Sequence, residues 1–251
     1  MRKHMMQNSW RECPNARLPE GLRIYAIGDI HGAATMLDKL LALIDEDVAA
    51  DPPARVSEVF LGDYVDRGPD CAGVLRRLRE ARADRERIHL MGNHEQAMID
   101  ALGNGTLMSR WLAFGGEATL ASYGIDVRQW LHDPQALQPM AQAVIPEEDL
   151  VLLGRLTSSH QVGGVVFAHA GIRPGVALGE QALHDLLWIR EDFLDHEGPL
   201  PAFVVHGHTP VDVPTVTPWR ANVDTGAVYG GRLTAIVLED RRYRLLSVDH
   251  G

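Results

Sequence analysis

Short apolar runs alternate along the chain with stretches in which apolar residues recur every three or four positions. Three such runs predict buried strands, at residues 23–27, 56–61 and 88–91. Helical spacing of apolar residues follows the first two runs, from Met36 to Ile44 and from Val74 to Leu78, and a third helix is predicted to begin near Glu95. This order of elements is typical of a parallel sheet with right-handed crossovers.

The pattern changes over residues 97–160, which contain no convincing strand and several helix-like segments. We interpret them as a helical insert over the sheet edge. The general burial tendency of aromatic residues favours an insert core, not a substrate platform, for Trp111, Phe114 and Trp130. Strand patterns then return at residues 165–168, 203–205, 221–223, 233–238 and 243–248, and the last two predict an antiparallel pair. Residues 1–20 are polar and predict a flexible N-terminal arm, and residues 21–251 predict a single domain.

Composition excludes several classes of partner. The formal net charge of −10 argues against nucleic acid polymers and anionic membranes. No stretch is apolar for the ~18 residues that a membrane span needs, and the N-terminal sequence lacks the apolar core of a signal peptide. Cys13 and Cys71 form no metal or redox spacing. We therefore expect a cytoplasmic protein.

Polar residues with metal-binding side chains follow five of the predicted strands, each in a short loop that contains glycine. The loops are Gly28-Asp29-Ile30-His31-Gly32, Gly62-Asp63-Tyr64-Val65-Asp66-Arg67-Gly68, Gly92-Asn93-His94-Glu95, His169-Ala170-Gly171 and His206-Gly207-His208. In parallel α/β sheets the carboxyl ends of the strands meet at the functional crevice. Any one of these loops alone has an ordinary structural explanation, such as a capped turn or a buried histidine. Their joint occurrence at strand ends predicts a single site.

The residue types in these loops indicate a metal centre. Aspartate, asparagine and histidine together suit Mn, Fe, Zn or Co, and the absence of cysteine disfavours a structural zinc site. Five or six ligands exceed the need of one catalytic metal, so two metals that share a carboxylate are more economical. Asp63 is the candidate bridge. Asp66 is placed to hydrogen-bond an imidazole, and Arg67 would face an anionic substrate.

These motifs, with Trp188, Arg190 and Asp224-Thr225-Gly226-Ala227, resemble those of the PPP-type serine/threonine phosphoprotein phosphatases within the calcineurin-like metallophosphoesterases. The similarity runs from about residue 23 to residue 240 and is strongest to the bacterial branch that includes the phage lambda phosphatase. The resemblance implies an α/β fold with a central β-sandwich flanked by helices.

The resemblance also implies roles for individual residues. One metal would be bound by Asp29, His31 and Asp63, and the other by Asp63, Asn93, His169 and His208. His94 would be the general acid, oriented by Asp66, and Arg67 and Arg190 would bind phosphate. The expected cofactors are two divalent ions, with Mn²⁺ first and Fe, Zn or Co as alternatives.

Met91 is one departure from the family pattern, because an arginine usually precedes Gly-Asn-His-Glu. Arg173 follows His169 by four residues and is a candidate for the missing phosphate contact. The alternative, equally supported by the loop's sequence, is an exposed arginine that caps the turn.

The resulting hypothesis is a phosphomonoester hydrolase that uses a metal-bridging hydroxide and acts on phosphorylated serine or threonine, and also tyrosine, in proteins or peptides. The alternative is a hydrolase of diadenosine tetraphosphate or related nucleotide polyphosphates. A non-catalytic binding scaffold is a remote third possibility, because no expected ligand is missing from the sequence. The oligomeric state and the role of the insert stay open.

Overall fold

The computed structural model describes residues 6–250 of the chain, with side chains from residue 9 onward. The strands are β1 (Met6–Glu12), β2 (Leu22–Ile27), β3 (Arg55–Phe60), β4 (Glu86–His89), β5 (Ser159–Val162), β6 (Val165–Ala168), β7 (Phe203–His206), β8 (Thr215–Val216), β9 (Arg220–Asn222), β10 (Leu233–Glu239) and β11 (Arg242–Val248). The α-helices are α1 (Ala34–Ala50), α2 (Cys71–Leu78), α3 (Asn93–Gly103), α4 (Met108–Trp111), α5 (Glu117–Ser122), α6 (Leu137–Val144), α7 (Glu147–Leu153), α8 (Leu183–Trp188) and α9 (Glu191–Leu194). Short 3₁₀ turns join several of them.

The larger sheet has six strands in the order β1-β11-β10-β2-β3-β4. Strands β2, β3 and β4 are parallel, with Ile27 opposite Phe60 and Phe60 opposite His89. The parallel β-α-β-α-β order predicted from the first three apolar runs is therefore confirmed. Strands β10 and β11 pair antiparallel across a tight turn, as the sequence also predicts.

The smaller sheet has five strands in the order β5-β6-β7-β9-β8. Its three central strands run parallel, and antiparallel strands flank them on both edges. The loops that follow β6 and β7 therefore leave the sheet from the same end. These loops carry His169 and His208.

The two sheets pack face to face over a shared apolar core. Ile24 and Ala26 of β2 contribute to this core together with Phe167 of β6 and Val205 of β7. The alternate residues of β2, such as Tyr25, belong to a second core beneath the helices, as the two-residue period of a strand requires. The predicted β-sandwich flanked by helices is confirmed.

The predicted insert is largely helical. Helices α3 to α7 occupy the chain from Asn93 to Leu153, and strand β5 then begins at Ser159. Trp111 is fully buried in the core beneath the helices, and Trp130 packs against that core while partly exposed. Among the described residues, no helix has both the length and the apolar character that crossing a membrane requires.

The N-terminal segment corrects the sequence prediction. Instead of a loose arm, residues 6–12 form an edge strand paired with β11, and the chain after it is buried at Cys13, Ala16 and Leu18. These three apolar side chains join the core between the sheets, and Leu18 N–H donates to Asp240 O. Local polarity suggested an arm because a few buried positions among polar neighbours give no periodic signal. Residues 1–5 of the predicted arm lie outside the described residues.

Candidate metal centre

The five predicted loops meet at one end of the sandwich. Their candidate side chains come from the ends of β2, β3, β6 and β7 and from the first turn of α3. All of those proposed as metal ligands or as the acid–aspartate pair are at least nine-tenths buried, namely Asp29, His31, Asp63, Asp66, Asn93, His94, His169 and His208. Burying so many polar groups is costly unless each is hydrogen-bonded or bound to a cation.

The loop backbone is held in an uncommon conformation. Five non-glycine residues of the site have positive φ: His31 (44°), Asp63 (52°), Asp66 (71°), Arg67 (68°) and His208 (68°). Such left-handed residues are disfavoured outside glycine and cluster at functional sites where the surrounding structure enforces them. Four of these side chains, all but the exposed Arg67, are buried in the site.

The side chain of Glu95 holds much of this loop backbone in place. Its buried carboxylate accepts hydrogen bonds from the backbone N–H groups of Asp63 (2.8 Å), Tyr64 (2.7 Å), Val65 (3.1 Å) and Gly92 (2.9 Å). One side chain at the start of α3 thereby fixes the loops after β3 and β4 together. Burial, followed by the charge of Asp63, raises the pKa of Glu95 to about 8, and the backbone donors oppose that rise.

Two groups of side chains in the site are spaced to hold metal ions. The first contains His31, Asp63 and His94, and the second contains Asp63, His169 and His208. Because His94 is hydrogen-bonded to Asp66 through Nδ1, we assign it to proton transfer and not to metal binding. Within each group the ligand atoms lie within 4.8 Å of one another. Asp63 is common to both groups, which is the arrangement a bridging carboxylate requires.

Hydrogen bonds orient two of the histidines for ligation. Nδ1 of His31 lies 2.7 Å from Val65 O, and Nδ1 of His169 lies 2.9 Å from Leu61 O, so both Nδ1 atoms carry the proton and donate. The Nε2 atoms therefore present lone pairs, at 3.4 and 3.3 Å from the Asp63 carboxylate. Backbone carbonyls commonly fix the tautomer of metal-binding histidines in this way.

The remaining proposed ligands surround the same centre. Oδ1 of Asn93 lies 2.8 Å from His169 Nε2 and 3.1 Å from His208 Nδ1. Both carboxylate oxygens of Asp29 accept from the backbone N–H of His208, at 3.2 and 3.1 Å. Burial lowers the pKa of His208 to about 2, so its imidazole is neutral and available as a ligand.

The electrostatics of the buried carboxylates favour cations. Burial, followed by the charges of Asp224 and Asp63, raises the pKa of Asp29 well above its usual range. Burial alone would also raise the pKa of Asp63, but His169 and His94 hold it well below its usual range. Divalent ions among these groups would compensate the buried charge, and the mixed oxygen and imidazole donors suit such ions. The residues present therefore fit a dinuclear metal centre.

His94 and Asp66 form a hydrogen-bonded pair beside the two clusters. Nδ1 of His94 lies 2.7 Å from Asp66 Oδ2, while its buried Nε2 has no hydrogen-bond partner among the described residues. The Asp66 carboxylate also accepts from Trp111 Nε1 at 3.0 Å and from the Thr119 hydroxyl at 2.6 Å. Two residues of the helical insert thus hold the aspartate that orients His94.

The three candidate arginines have different surroundings. Arg67 is exposed, its Nη1 lies 3.0 Å from His31 Nε2, and its guanidinium lies 5.5 Å from the centre of the Phe114 ring. Arg190 is exposed and near enough that its charge helps to lower the pKa of His208. Both arginines therefore lie at the mouth of the site, where a phosphate would enter.

Arg173 is not brought to the centre, which corrects its assignment as a phosphate ligand. Its Nε and Nη2 donate to the Asp185 carboxylate, both at 2.7 Å, and its Nη1 donates to Asp192 at 2.8 Å. The loop after His169 does run close to the ligands. However, the guanidinium is bound by the carboxylates of Asp185 and Asp192 instead, so Arg173 stabilises the turn.

An aromatic row extends outward from His94. The His94 and Phe114 rings are stacked, with centroids 3.9 Å apart and an angle of 7° between their planes. Phe114 is followed by Trp188 at 5.6 Å, and Trp188 by His184 at 6.4 Å. The expectation that Phe114 belongs to the insert core is therefore wrong, since its ring covers the imidazole.

The residues that support the metal centre differ in how far the sequence indicates them. Three examples are Thr119, Glu95 and Asp224. Thr119 carries no recognisable motif, and its contact with Asp66 depends on how the insert packs. Glu95 lies beside His94 in the sequence, and its carboxylate holds the backbone of two loops of the site. Asp224 follows a strand and lies near Asp29, a placement that its strand-end position could have indicated.

Comparison with known proteins agrees with this geometry. The family model described as calcineurin-like phosphoesterase matches residues 22–245. Serine/threonine-protein phosphatase 1 of Salmonella typhimurium is 32% identical over 219 residues, covering 84% of this chain and 89% of that protein. The asymmetrical bis(5'-nucleosyl)-tetraphosphatase PrpE of Geobacillus thermodenitrificans is 30% identical over 239 residues, covering 86% and 90%.

A solved structure supports the same fold. The cold-active protein-tyrosine phosphatase of a psychrophilic Shewanella species superposes with a TM-score of 0.57 at 18% identity, covering 96% of this chain and 83% of that one. The sandwich, the strand-end ligands and the extent of the match lead to one conclusion: the chain belongs to the calcineurin-like phosphoesterase family and is a metal-dependent phosphatase.

Proposed function

We propose that the protein hydrolyses phosphate esters at a dinuclear centre formed by Asp29, His31, Asp63, Asn93, His169 and His208. The observation that carries the proposal is the position of Asp63, which belongs to both candidate metal groups and lies beside the His94–Asp66 pair. Two bound divalent ions would lower the pKa of a water molecule and offset the charge of the phosphoryl group. Mn²⁺ is the first candidate, with Fe, Zn or Co as alternatives.

The chain's own residues supply the proton transfer. In hydrolysis the water oxygen bonds to phosphorus and the bond from phosphorus to the ester oxygen breaks, so that oxygen needs a proton. His94 Nε2 is buried and has no hydrogen-bond partner in the part of the chain that the structure describes, and it would donate that proton. The Asp66 carboxylate at Nδ1 stabilises the imidazolium form and holds the ring in orientation.

Arg67 and Arg190 would bind the phosphoryl oxygens. A guanidinium matches the spacing of two phosphate oxygens and stays charged throughout, so it can stabilise charge that develops on them. Both side chains are exposed at the mouth of the site. Because the whole chain carries a net charge of −10, this local positive field has to attract the anionic substrate.

Two substrate classes are supported by different observations. The motif set and the Salmonella relative, which is named as a serine/threonine-protein phosphatase, favour phosphorylated proteins or peptides. The PrpE relatives and the aromatic row beside His94 favour nucleoside polyphosphates. We place phosphoserine and phosphothreonine peptides first on the motifs, with diadenosine tetraphosphate as the second candidate.

Chelation tests the proposed chemistry directly. Treatment with EDTA and removal of the chelator should abolish hydrolysis of p-nitrophenyl phosphate, and Mn²⁺ should restore it. Metal analysis of the restored protein should give about two ions per chain, and the melting temperature should rise with Mn²⁺ because the ions bind the folded state. Full activity in a protein shown to be free of metal would refute the proposal.

A substrate panel then separates the two classes. The ratio of kcat/KM for a phosphoserine peptide to that for diadenosine tetraphosphate should exceed one if phosphoproteins are the substrate. A preference for the dinucleotide by two orders of magnitude or more would replace the first candidate with the second.

A further inference from the structure

The guanidinium of Arg67 reaches the mouth of the site without a carboxylate partner. Unlike Arg173, which two carboxylates bind, it forms no ion pair with any residue that the structure describes. Its Nη1 donates to His31 Nε2 at 3.0 Å. That nitrogen is also the atom assigned to a metal ion, and its one lone pair cannot serve both. Another contact therefore has to orient Arg67 when a metal is bound.

Two aromatic rings lie near this guanidinium. Its central carbon is 5.5 Å from the centre of the Phe114 ring and 5.7 Å from the centre of the Tyr229 ring. Both distances are within the ~6 Å range of cation–π attraction. Phe114 belongs to the helical insert and Tyr229 to the turn before β10, so the rings reach Arg67 from two separate segments of the chain.

The turn that carries Tyr229 has a fixed backbone. Gly226 and Gly230 adopt left-handed φ angles of 66° and 85°, which glycine accepts without a Cβ penalty. The N–H of Tyr229 donates to Gly226 O at 2.9 Å, and the N–H of Gly226 donates to Asp224 Oδ1 at 3.0 Å. Ala227 is buried in the core beneath the helices. The turn therefore presents Tyr229 at one place, although the residue is 62% exposed.

The aliphatic part of Arg67 is also held in place. Its backbone N–H donates to Gly115 O at 3.1 Å. Gly115 has a φ of 122°, and a Cβ at that position would lie 2.9 Å from Arg67 Cγ. The side chain thus passes directly over the glycine, and the guanidinium is the part that the rings have to orient.

An aromatic ring attracts a guanidinium without neutralising it. A carboxylate partner would cancel the charge and occupy the N–H donors, as Asp185 does for Arg173. A ring carries no net charge and no carboxylate oxygen, so Arg67 keeps its charge and its donors for phosphate oxygens. Restricting the side chain before the ligand arrives also lowers the entropy that is lost on binding.

We propose that Tyr229 is a positioning residue of this site, which acts with Phe114 to orient the Arg67 guanidinium towards the phosphoryl group. The proposal rests on the proposed phosphatase function. It gives a task to the turn at residues 226–230, which supplies none of the proposed metal ligands.

The test is a double-mutant cycle between Tyr229 and Arg67. Methylphosphonate, which presents phosphoryl oxygens but has no ester bond to hydrolyse, is titrated into the Mn²⁺-loaded protein by calorimetry. Tyr229→Ala should weaken binding about two- to fivefold, the size of a cation–π attraction at an exposed position. Tyr229→Phe keeps the ring and should keep the affinity. In the Arg67→Ala background, Tyr229→Ala should have no further effect, because no guanidinium is left to orient.

A matched control and a second readout accompany the cycle. Leu131 is 60% exposed, close to the exposure of Tyr229, and Leu131→Ala should bind methylphosphonate as the wild type does. The value of kcat/KM for p-nitrophenyl phosphate should follow the same cycle. Metal content and melting temperature of Tyr229→Ala should stay at the wild-type values, because the ring is exposed. Phe114 is left unchanged, since its ring also stacks on His94 and its replacement would alter two contacts.

Three results would overturn the proposal. The first is unchanged affinity in Tyr229→Ala. The second is an equal loss with and without Arg67, which would mean that the ring contacts the ligand itself. The third is an equal loss in Tyr229→Phe, which would assign the effect to the hydroxyl.

Binding is measured apart from turnover, so the two proposals fail separately. A protein that hydrolyses p-nitrophenyl phosphate with Mn²⁺ but shows no coupling between Tyr229 and Arg67 keeps the phosphatase function and loses the role of Tyr229. Coupling in methylphosphonate binding without metal-dependent hydrolysis would have the opposite meaning.

Discussion

Replacing Thr119 by valine removes the hydroxyl that joins the helical insert to the Asp66 carboxylate. That hydroxyl donates to Asp66 Oδ1 at 2.6 Å and accepts from the Asp66 backbone N–H at 2.9 Å. Thr119 and Asp66 are both fully buried, so water cannot replace either bond. Valine keeps the size of the side chain but supplies neither a donor nor an acceptor.

The expected magnitude follows from these two bonds. A hydrogen bond to a charged group contributes about 1.5–3 kcal/mol, and an unsatisfied buried N–H costs about 1–3 kcal/mol. Trp111 and His94 still donate to the carboxylate, which limits the loss. We expect Thr119→Val to lower the free energy of unfolding by about 2–4 kcal/mol.

Part of this loss should appear in catalysis, because Asp66 is the group that stabilises protonated His94. If the transition state loses about 1.4 kcal/mol of stabilisation, kcat decreases about tenfold. The decrease should be larger for an alkyl phosphate than for p-nitrophenyl phosphate, whose leaving group needs little protonation. Metal content should stay at the wild-type value, since Thr119 contacts none of the proposed ligands among its described hydrogen bonds.

The assay combines denaturant unfolding, metal analysis and kcat on the two substrates. Thr119→Ser keeps the hydroxyl and should recover most of both losses. Thr106→Val is a matched control, because that threonine also lies in the insert but its hydroxyl makes an exposed bond to Asn104. A folded Thr119→Val protein with wild-type kcat on both substrates would refute the role assigned to the insert.

Three further substitutions test separate parts of the site. His94→Asn should retain both metals while kcat falls about 10²–10⁴-fold for alkyl phosphates and much less for p-nitrophenyl phosphate; an equal loss on both would show that His94 is not the acid. Asp63→Asn should reduce the bound metal below two ions per chain by elemental analysis, because the residue belongs to both ligand groups; an intact pair of ions would contradict its bridging position. Arg173→Ala should change kcat/KM for p-nitrophenyl phosphate less than threefold, because Asp185 and Asp192 bind that guanidinium; a tenfold loss would return Arg173 to the phosphate site.

The sequence predicts the parallel strands and the loops of candidate ligands well because both depend on local patterns, whereas the sandwich was implied by the family resemblance alone. Apolar runs mark the central strands, and glycine-bounded polar residues at their ends mark the loops that converge. Parallel strand order then brings Asp29 and Asp63 together at the end of the larger sheet, and His169 and His208 together at the end of the smaller sheet. Packing of the two sheets, which strand order does not determine, brings the two pairs to one site. The same reasoning fails for β1, whose residues alternate too weakly to differ from a polar arm.

The contacts made by the insert could not be predicted in the same way. The bond between Thr119 and Asp66 spans 53 positions in the sequence and depends on packing of short helices. Phe114 was expected in the core because burial is the usual fate of an aromatic residue, yet it covers His94. Arg173 shows that closeness in sequence can also mislead. It lies four residues after His169, but its guanidinium binds Asp185 and Asp192 and not a phosphate at the metal centre.

The left-handed turns of the metal loops have a consequence for how the protein responds to selection. A non-glycine residue in this conformation costs roughly 1–2 kcal/mol, and His31, Asp63, Asp66, Arg67 and His208 all adopt it. Glycine would relax each turn and remove the side chain that the chemistry needs. At Arg67, the exposed member of this set, a laboratory evolution experiment that rewards only heat resistance should therefore favour glycine and lose phosphate affinity as it gains stability.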